Sequence, residues 1–279
     1  MIILTGYNGF IGKAFAKKLD EDNLYRVERD GVDLFLRDYE DWDKVELIIH
    51  QGAISSTVET DLNKIHKYNV DFSIQLFEKA IEHQIPVKYA SSASVYGSGN
   101  VFKEEPKNES SLNHYSESKL LFDNFVRENF SKIKSQVVGI RYFNVYGPYE
   151  QHKEVMSSVI YHFYNQFKKY GMLKLFRGSH GYDDGEQRRD FVYVKDTVKI
   201  KIWFMNNNLS GIFNVATGKS RSFNDVGNAV INYFSSGHID YIDFPEGLER
   251  QYQAYTPVSY THLRAHETDS YLVCRLLLE

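Results

Sequence analysis

A single cysteine, Cys274, stands in the 279 residues, which excludes internal disulfides and any cysteine-rich metal site. No metal centre is expected. The chain also lacks an apolar stretch near the roughly 20 residues of a membrane helix, so no membrane partner is expected. Lys/Arg-rich runs are missing too. With 33 basic against 37 acidic residues the formal net charge is -4, which argues against a nucleic-acid partner. The opening MIIL passes straight into a glycine turn, leaving no charged segment and apolar core for a secretory signal. One cysteine and no signal fit a reducing cytoplasm.

What is present describes an ordinary globular chain, with 42% hydrophobic and 25% charged residues. Its length suits one large domain or two intimate ones. MIILTGYNGFIGKAFAKKL reads as a buried strand, a glycine turn and an amphipathic helix. Gly6, Gly9 and Gly12 repeat at G-x-x-G-x-x-G. The first permits a tight turn, the second close approach of backbone to a pyrophosphate, and the third close helix–strand packing. A helix N-terminus there offers N–H groups to a phosphate. A glycine-rich turn without a ligand is the plain alternative.

The next strand, LYRVER, ends at Glu28 and Arg29. Glu28 could hold a free ribose hydroxyl, and Arg29 could meet a 2'-phosphate, so Arg29 favours NADP over NAD. Asp33 and Leu34 of VDLF fall near the adenine edge. VELIIHQGA is a dense buried strand running into Gln51, Gly52 and Ala53, whose small residues admit a cofactor close to the backbone. VKYASSASVYG is another, ending at the hydroxyls of Ser91 and Ser92. Strands alternate with helical stretches such as NVDFSIQLFEKAIEH, the pattern of an α/β doubly wound parallel sheet. Ligands of such sheets bind at the carboxyl ends of strands, where these segments lie.

NHYSESKLL places Tyr115 and Lys119 at i and i+4, on one face of a helix that continues through Leu120, Phe122, Phe125 and Val126. From spacing alone the pair is either catalytic or an ordinary polar face.

With the glycine turn, SSASVYG, YSESK and RYFNVYGP in this order, the chain resembles the extended short-chain dehydrogenase/reductase family from Met1 to about Thr256. HQGAISST, RYFNVYGPYEQHK, RRDFVYVKD, GIFNVATG and YQAYT place the likeness among its ADP-heptose 6-epimerases. The resemblance implies a Rossmann-like domain over 1–145, with segments near 190–216 returning to it, and a smaller substrate region over 146–256. It implies an ADP-sugar substrate, tightly held NADP, C6 epimerisation by transient oxidation and reduction, and self-association into a homo-oligomer. Another nucleotide-sugar epimerase, dehydratase or reductase, or a silent NADP-binding regulator, are the alternatives. A dehydratase would carry Asp-Glu after the active-site serine, where Ala93-Ser94 stands.

The same resemblance makes Tyr115 the acid/base, Lys119 its electrostatic partner and ribose ligand, and Ser92 the hydroxyl beside the reacting oxygen, with Ser91 structural. A lysine charge at about 5 Å is worth ~3 kcal/mol at an effective dielectric near 20, on the order of two pKa units for the tyrosine. It places Phe10, Ile11, Asn69 and Val145 at the cofactor, and a second acid/base at Lys153. A cation at the N-terminus of the following helix should be disfavoured, which suits a base. Asn144, His162, Phe176, Ser179, Arg189 and Tyr252 are implied at the substrate, Arg189 as a bidentate diphosphate clamp. The plain alternatives are a turn role for Asn144, a structural His162 and a salt bridge from Arg189 to Asp190. Two departures stand out. GSHGYDDGEQRRD is longer and more acidic than the family's usual loop, and residues 257–279 lose the likeness, so a truncated substrate region with an artefactual tail is expected.

Overall fold

The structure is a computed structural model and describes residues 1–245, 255–256 and 263–264. It divides into two compact units. The first comprises residues 1–99, 104–142 and 198–214; the second comprises 100–103, 143–197 and 215–279.

In the first unit, β1 (Ile2–Thr5), β2 (Leu24–Val27), β3 (Leu47–His50), β4 (Val87–Ser92) and β5 (Val137–Tyr142) form a parallel sheet. It is ordered β5-β4-β3-β1-β2, with β9 (Gly211–Ala216) beyond β5. The order reverses at β1, which pairs with both β2 and β3, so the switch point lies between the carboxyl ends of β1 and β3. β1 and β3 are short apolar runs buried on both faces, while the edge strand β2 leaves Tyr25 and Arg26 exposed. Successive side chains alternate: Ile3 and Ile48 join Phe35, Trp42, Phe77 and Phe122 in one core, while Leu4 and Ile49 join Phe15 and Val198 in another. The expected doubly wound α/β sheet is what forms.

Its helices are α1 (Phe10–Ala16), α2 (Val32–Asp38), α3 (Leu62–Ile65), α4 (Phe72–Glu82) and α5 (His114–Asn129). α3 and α4 are joined through one π-helical segment, His66–Asp71, which carries Asn69. α5 starts at a capping box in which the Asn113 side chain accepts from Ser116 N–H and the Ser116 side chain returns to Asn113. That box fixes where the Tyr115 turn begins.

The second unit holds β6 (Asn144–Tyr146), α6 (Val159–Tyr170), β7 (Leu173–Phe176) and β8 (Arg188–Tyr193). α7 (Val194–Asn206) and β9 carry chain from one unit to the other, and β10 (Ser220–Ser222), α8 (Phe223–Phe234), β11 (Ile239–Ile242) and the short β12 (Tyr255–Thr256) follow. β8 is the centre of a small sheet with β6, β10 and β12, and β7 pairs with β11. The last residues of β9, Val215 and Ala216, pair with β13 (Leu263–Arg264). α6 and α8 meet through Phe167 and Phe234, stacked at 4.6 Å. Tyr252 and most of 257–279 lie outside the described residues.

Candidate active site

The carboxyl ends of β1 and β3 are close-packed glycine backbone. Gly6 adopts φ +66°, the left-handed region that favours glycine, and a Cβ there would fall 2.7 Å from Gly52. Gly9 N-caps α1 without a side-chain bond, and a Cβ on it would meet only Gly6 O, at 3.2 Å. Phe10 and Gly12 are buried while Ile11 is partly exposed. Gln51 donates to His50 O and accepts from the Tyr142 hydroxyl, and Ala53 is partly exposed. Beyond β2, one Glu28 oxygen accepts from Asn8 N–H at 2.7 Å. Arg29 is exposed, 3.7 Å from an almost fully open Asp30. Asp33 pairs with Lys67 at 2.6 Å and Leu34 is exposed.

A neutral hydrogen-bond chain runs below this turn. Gly52 N–H donates to Thr5 Oγ1, which is 2.7 Å from His50 Nδ1; His50 Nε2 is 2.8 Å from Ser73 Oγ. The Ser73 proton goes to Asn69 O, so His50 must donate from Nε2 and accept from Thr5 at Nδ1. Burial holds His50 at about 3, so the ring is neutral. Asn69 then spends every side-chain bond internally: its Nδ2 donates to Ile54 O and Ser118 Oγ, and its Oδ1 accepts from Ile54 N–H. It thereby ties the π-helical segment to Ile54 in the loop after β3. Ser118 Oγ donates on to the Tyr115 carbonyl.

Tyr115, Lys119 and Ser92 come together where α5 crosses the end of β4. The Tyr115 side chain faces the Ser92 hydroxyl, which opposes the rise in its pKa. Ser92 Oγ also accepts from Ser94 N–H and Ser94 Oγ. Lys119 is buried and donates to Ala90 O at 3.0 Å. The expected lysine-driven fall in the tyrosine pKa is corrected here. Burial raises the Tyr115 pKa, opposed by the neighbouring Ser92 hydroxyl, while Lys119 donates to a strand carbonyl. Lys119 itself is lowered to about 8, by burial, against the opposing charge of Asp123. Ser91 donates to that same Asp123.

In the second unit, Lys153 donates to Glu150 at 3.0 Å. It sits in a 3-10 turn, Gln151–Met156, ahead of α6, whose N-cap is Ser158. The helix-terminus argument for this lysine therefore does not hold, and a carboxylate faces it instead. Glu150 is fully buried and also accepts from Gly147 N–H, Ser158 N–H and Ser158 Oγ. Nothing in the sequence singled it out beyond its place three residues before Lys153. Asn144 donates to Asp190 O, and Val145 pairs with Val192. His162 is exposed with Nε2 3.2 Å from Val155 O, and Phe176 stacks on Phe244 at 4.4 Å. Ser179 is buried and accepts from Gln187. Arg189, on β8, donates to Arg188 O and lies over Phe223 at 5.7 Å. The acidic loop is internally tied: Asp184 accepts from Gly178 N–H and Arg177, and Asn224 donates to Glu186. Arg188 is fixed on Ser220 by two bonds.

The sequence pattern of the NAD dependent epimerase/dehydratase family matches residues 2–216. The chain belongs to that family. It is 44% identical over 294 residues to an ADP-L-glycero-D-manno-heptose-6-epimerase of Alkalilimnicola ehrlichii, an alignment covering 96% of this chain and 92% of the relative. Among solved structures of this epimerase/dehydratase type, the Helicobacter pylori ADP-L-glycero-D-manno-heptose-6-epimerase superposes with TM-score 0.74 at 28% identity, over 87% of this chain and 84% of its own. The Thermus thermophilus UDP-glucose 4-epimerase, solved with NAD, superposes with TM-score 0.71 at 22% identity, over 92% and 90%. That last likeness shows the fold alone. Among the described residues no helix is long and apolar enough to cross a membrane.

Proposed function

We propose that the protein inverts C6 of the heptose in an ADP-linked glycero-manno-heptose, a step that makes a heptose precursor of the lipopolysaccharide core. The observation that carries this reading is Tyr115 facing the Ser92 hydroxyl from a helix whose next turn presents buried Lys119, in a chain 44% identical to an enzyme of that name. The glycine cradle at Gly6, Gly9 and Gly52 fits a dinucleotide, since a side chain at Gly6 would collide with backbone. Gly6, Gly9, Gly12 and Gln51–Ala53 would hold NADP, with Lys119 toward its ribose. When bound, the nicotinamide supplies a reversible hydride acceptor for the sugar carbon.

Tyr115 exchanges the proton of the reacting hydroxyl and Ser92 orients its oxygen. Inversion needs a second acid/base group, and we assign that role to Lys153, held by Glu150. Asn144, His162, Phe176, Ser179, Arg189 and Tyr252 remain our assignments for the nucleotide-sugar. NADP over NAD is supported by Glu28, one of whose oxygens is taken by Asn8, and by the open guanidinium of Arg29. Cytoplasmic location rests on the lone cysteine, and self-association rests on the family resemblance, which sedimentation velocity tests. A dehydratase is the less favoured reading because Ala93 and Ser94 follow Ser92, and Ser94 merely donates to Ser92.

The test is identification of the nucleotide released on denaturation, then incubation with both C6 epimers of ADP-heptose and with UDP-hexoses, followed by NMR. Interconversion of the ADP-heptoses supports the assignment; turnover of UDP-hexoses alone would overturn it.

A further inference from the structure

Three consecutive residues at the end of β4 meet α5. Ala90 O accepts from Lys119, Ser91 Oγ donates to Asp123 Oδ2 at 2.9 Å, and the Ser92 hydroxyl faces Tyr115. The helix residues are 115, 119 and 123, at i, i+4 and i+8, so they form one stripe along the helix. Two of the three were singled out as chemistry. The third was not.

Asp123 is fully buried, and each of its oxygens is occupied. The Tyr89 hydroxyl donates to Oδ1 at 3.0 Å, and Arg141 donates to Oδ2 from Nε and Nη2 at 3.1 and 2.8 Å. Arg141 is itself fully buried on β5 and reaches on to Glu109 and to the Tyr96 hydroxyl, which donates to Asn214. Glu109 lies in the loop that leads into α5 and is also held by Arg127. The carboxylate thus ties β4, β5 and the loop entering α5 to one helix face. A buried pair alone would need only Arg141. The additional bond to Ser91 fixes the strand residue beside Ser92.

We propose that Asp123 is a positioning residue for the reaction, holding Ser92 at the height of the Tyr115 hydroxyl through its bond to Ser91. The proposal rests on the assignment of Tyr115 and Ser92 to the chemistry. A displacement of about 1 Å at a reacting group can cost on the order of a hundredfold in rate, so a lost tether should show in turnover rather than in binding.

The experiment compares Ser91→Ala, Asp123→Asn and the double variant in the full chain, with Tyr115→Phe alongside, scoring kcat and KM for ADP-heptose epimerisation, bound nucleotide and melting temperature. Ser91→Ala should lower kcat roughly 10- to 100-fold, with KM within about threefold and bound nucleotide unchanged. The double variant should be no slower than Asp123→Asn, because both remove the same tether. Asp123→Asn risks poor folding, since Arg141 loses a charged partner, and Ser91→Ala keeps the proposal testable without it. Wild-type kcat in Ser91→Ala, with Tyr115→Phe inactive, would overturn the positioning role alone. Full activity in Tyr115→Phe would overturn the active-site assignment and the positioning role with it.

Discussion

Gly12 lies so close to Gly6 that a Cβ on Gly12 would fall 2.0 Å from the Gly6 carbonyl oxygen. Gly9 is different, since a Cβ there meets that oxygen at 3.2 Å and nothing else. Gly12→Ala should therefore lose both fold stability and bound nucleotide, because helix and turn must separate. Gly9→Ala should melt within a few degrees of the parent, and Gly9→Val should lose nucleotide retention first. Calorimetry together with chromatography of the released nucleotide checks both; equal melting losses at the two positions would contradict the distinction.

His50 makes stability depend on acid. Folded, it is neutral with a value of about 3, and unfolded it returns to about 6.5. The unfolded chain therefore binds the extra proton between those values, and stability falls as pH drops through them. The slope is about 1.4 kcal/mol per pH unit from this residue alone. Urea midpoints at pH 7, 6 and 5 should show that decline, and His50→Gln should flatten it. A parent protein equally stable at pH 7 and 5 would rule this out.

Lys201 is fully buried against Phe15 and Tyr142, and among the described residues its side-chain nitrogen has no hydrogen-bond partner. Burial, aided by Lys88 and Lys119, holds its pKa well below the usual value. An unsatisfied buried donor costs ~1–3 kcal/mol, so Lys201→Met should raise the melting temperature by about 2–8 °C at pH 7. Between its folded and unfolded pKa values the unfolded chain holds the proton, so the parent gains stability as pH rises. The advantage of Lys201→Met should then shrink toward pH 10. A growing advantage would contradict the sign.

Tyr115→Phe and Lys153→Met should each reduce epimerisation by about 10²–10⁴, the usual range for a lost acid/base group. Neither should lose bound nucleotide. The two should also differ with an aldehyde-bearing substrate analogue, dismutation failing in one and surviving in the other. Near-parent epimerisation in Lys153→Met would leave that lysine as the counter-ion of Glu150 and no more.

Arg29→Ala should weaken NADP retention more than NAD retention, as measured by competitive loading of stripped protein. Equal effects on the two would remove the argument for NADP.

The parts legible in the sequence are those fixed by local backbone need or by a period. Gly6 had to be glycine for its turn, and the apolar runs at β1, β3 and β4 had to be buried strands. Tyr115 and Lys119 were visible through a four-residue interval. Asp123 continues that interval by one more turn, yet its partners Ser91 and Arg141 arrive from separate strands, so spacing alone could not single it out. Burial was the other hidden variable. It reverses the expected direction for Tyr115, because spacing says nothing of how deeply a hydroxyl will be buried. The helix-terminus argument for Lys153 fails for a backbone reason: Glu154, at φ +48°, breaks the turn before α6 begins.

Ser91 and Arg141 are paired across β4 and β5 at the same level of the sheet, and one carboxylate oxygen of Asp123 binds both. A slip of β5 by one residue would turn Arg141 to the opposite face of the sheet, away from Asp123 and Glu109. Stranding a buried charge in that way costs about 3–5 kcal/mol, a large part of the total stability of an ordinary domain. The ion pair therefore penalises any pairing of β4 and β5 that is out of step, since such a sheet would hold the arginine away from both of its carboxylates.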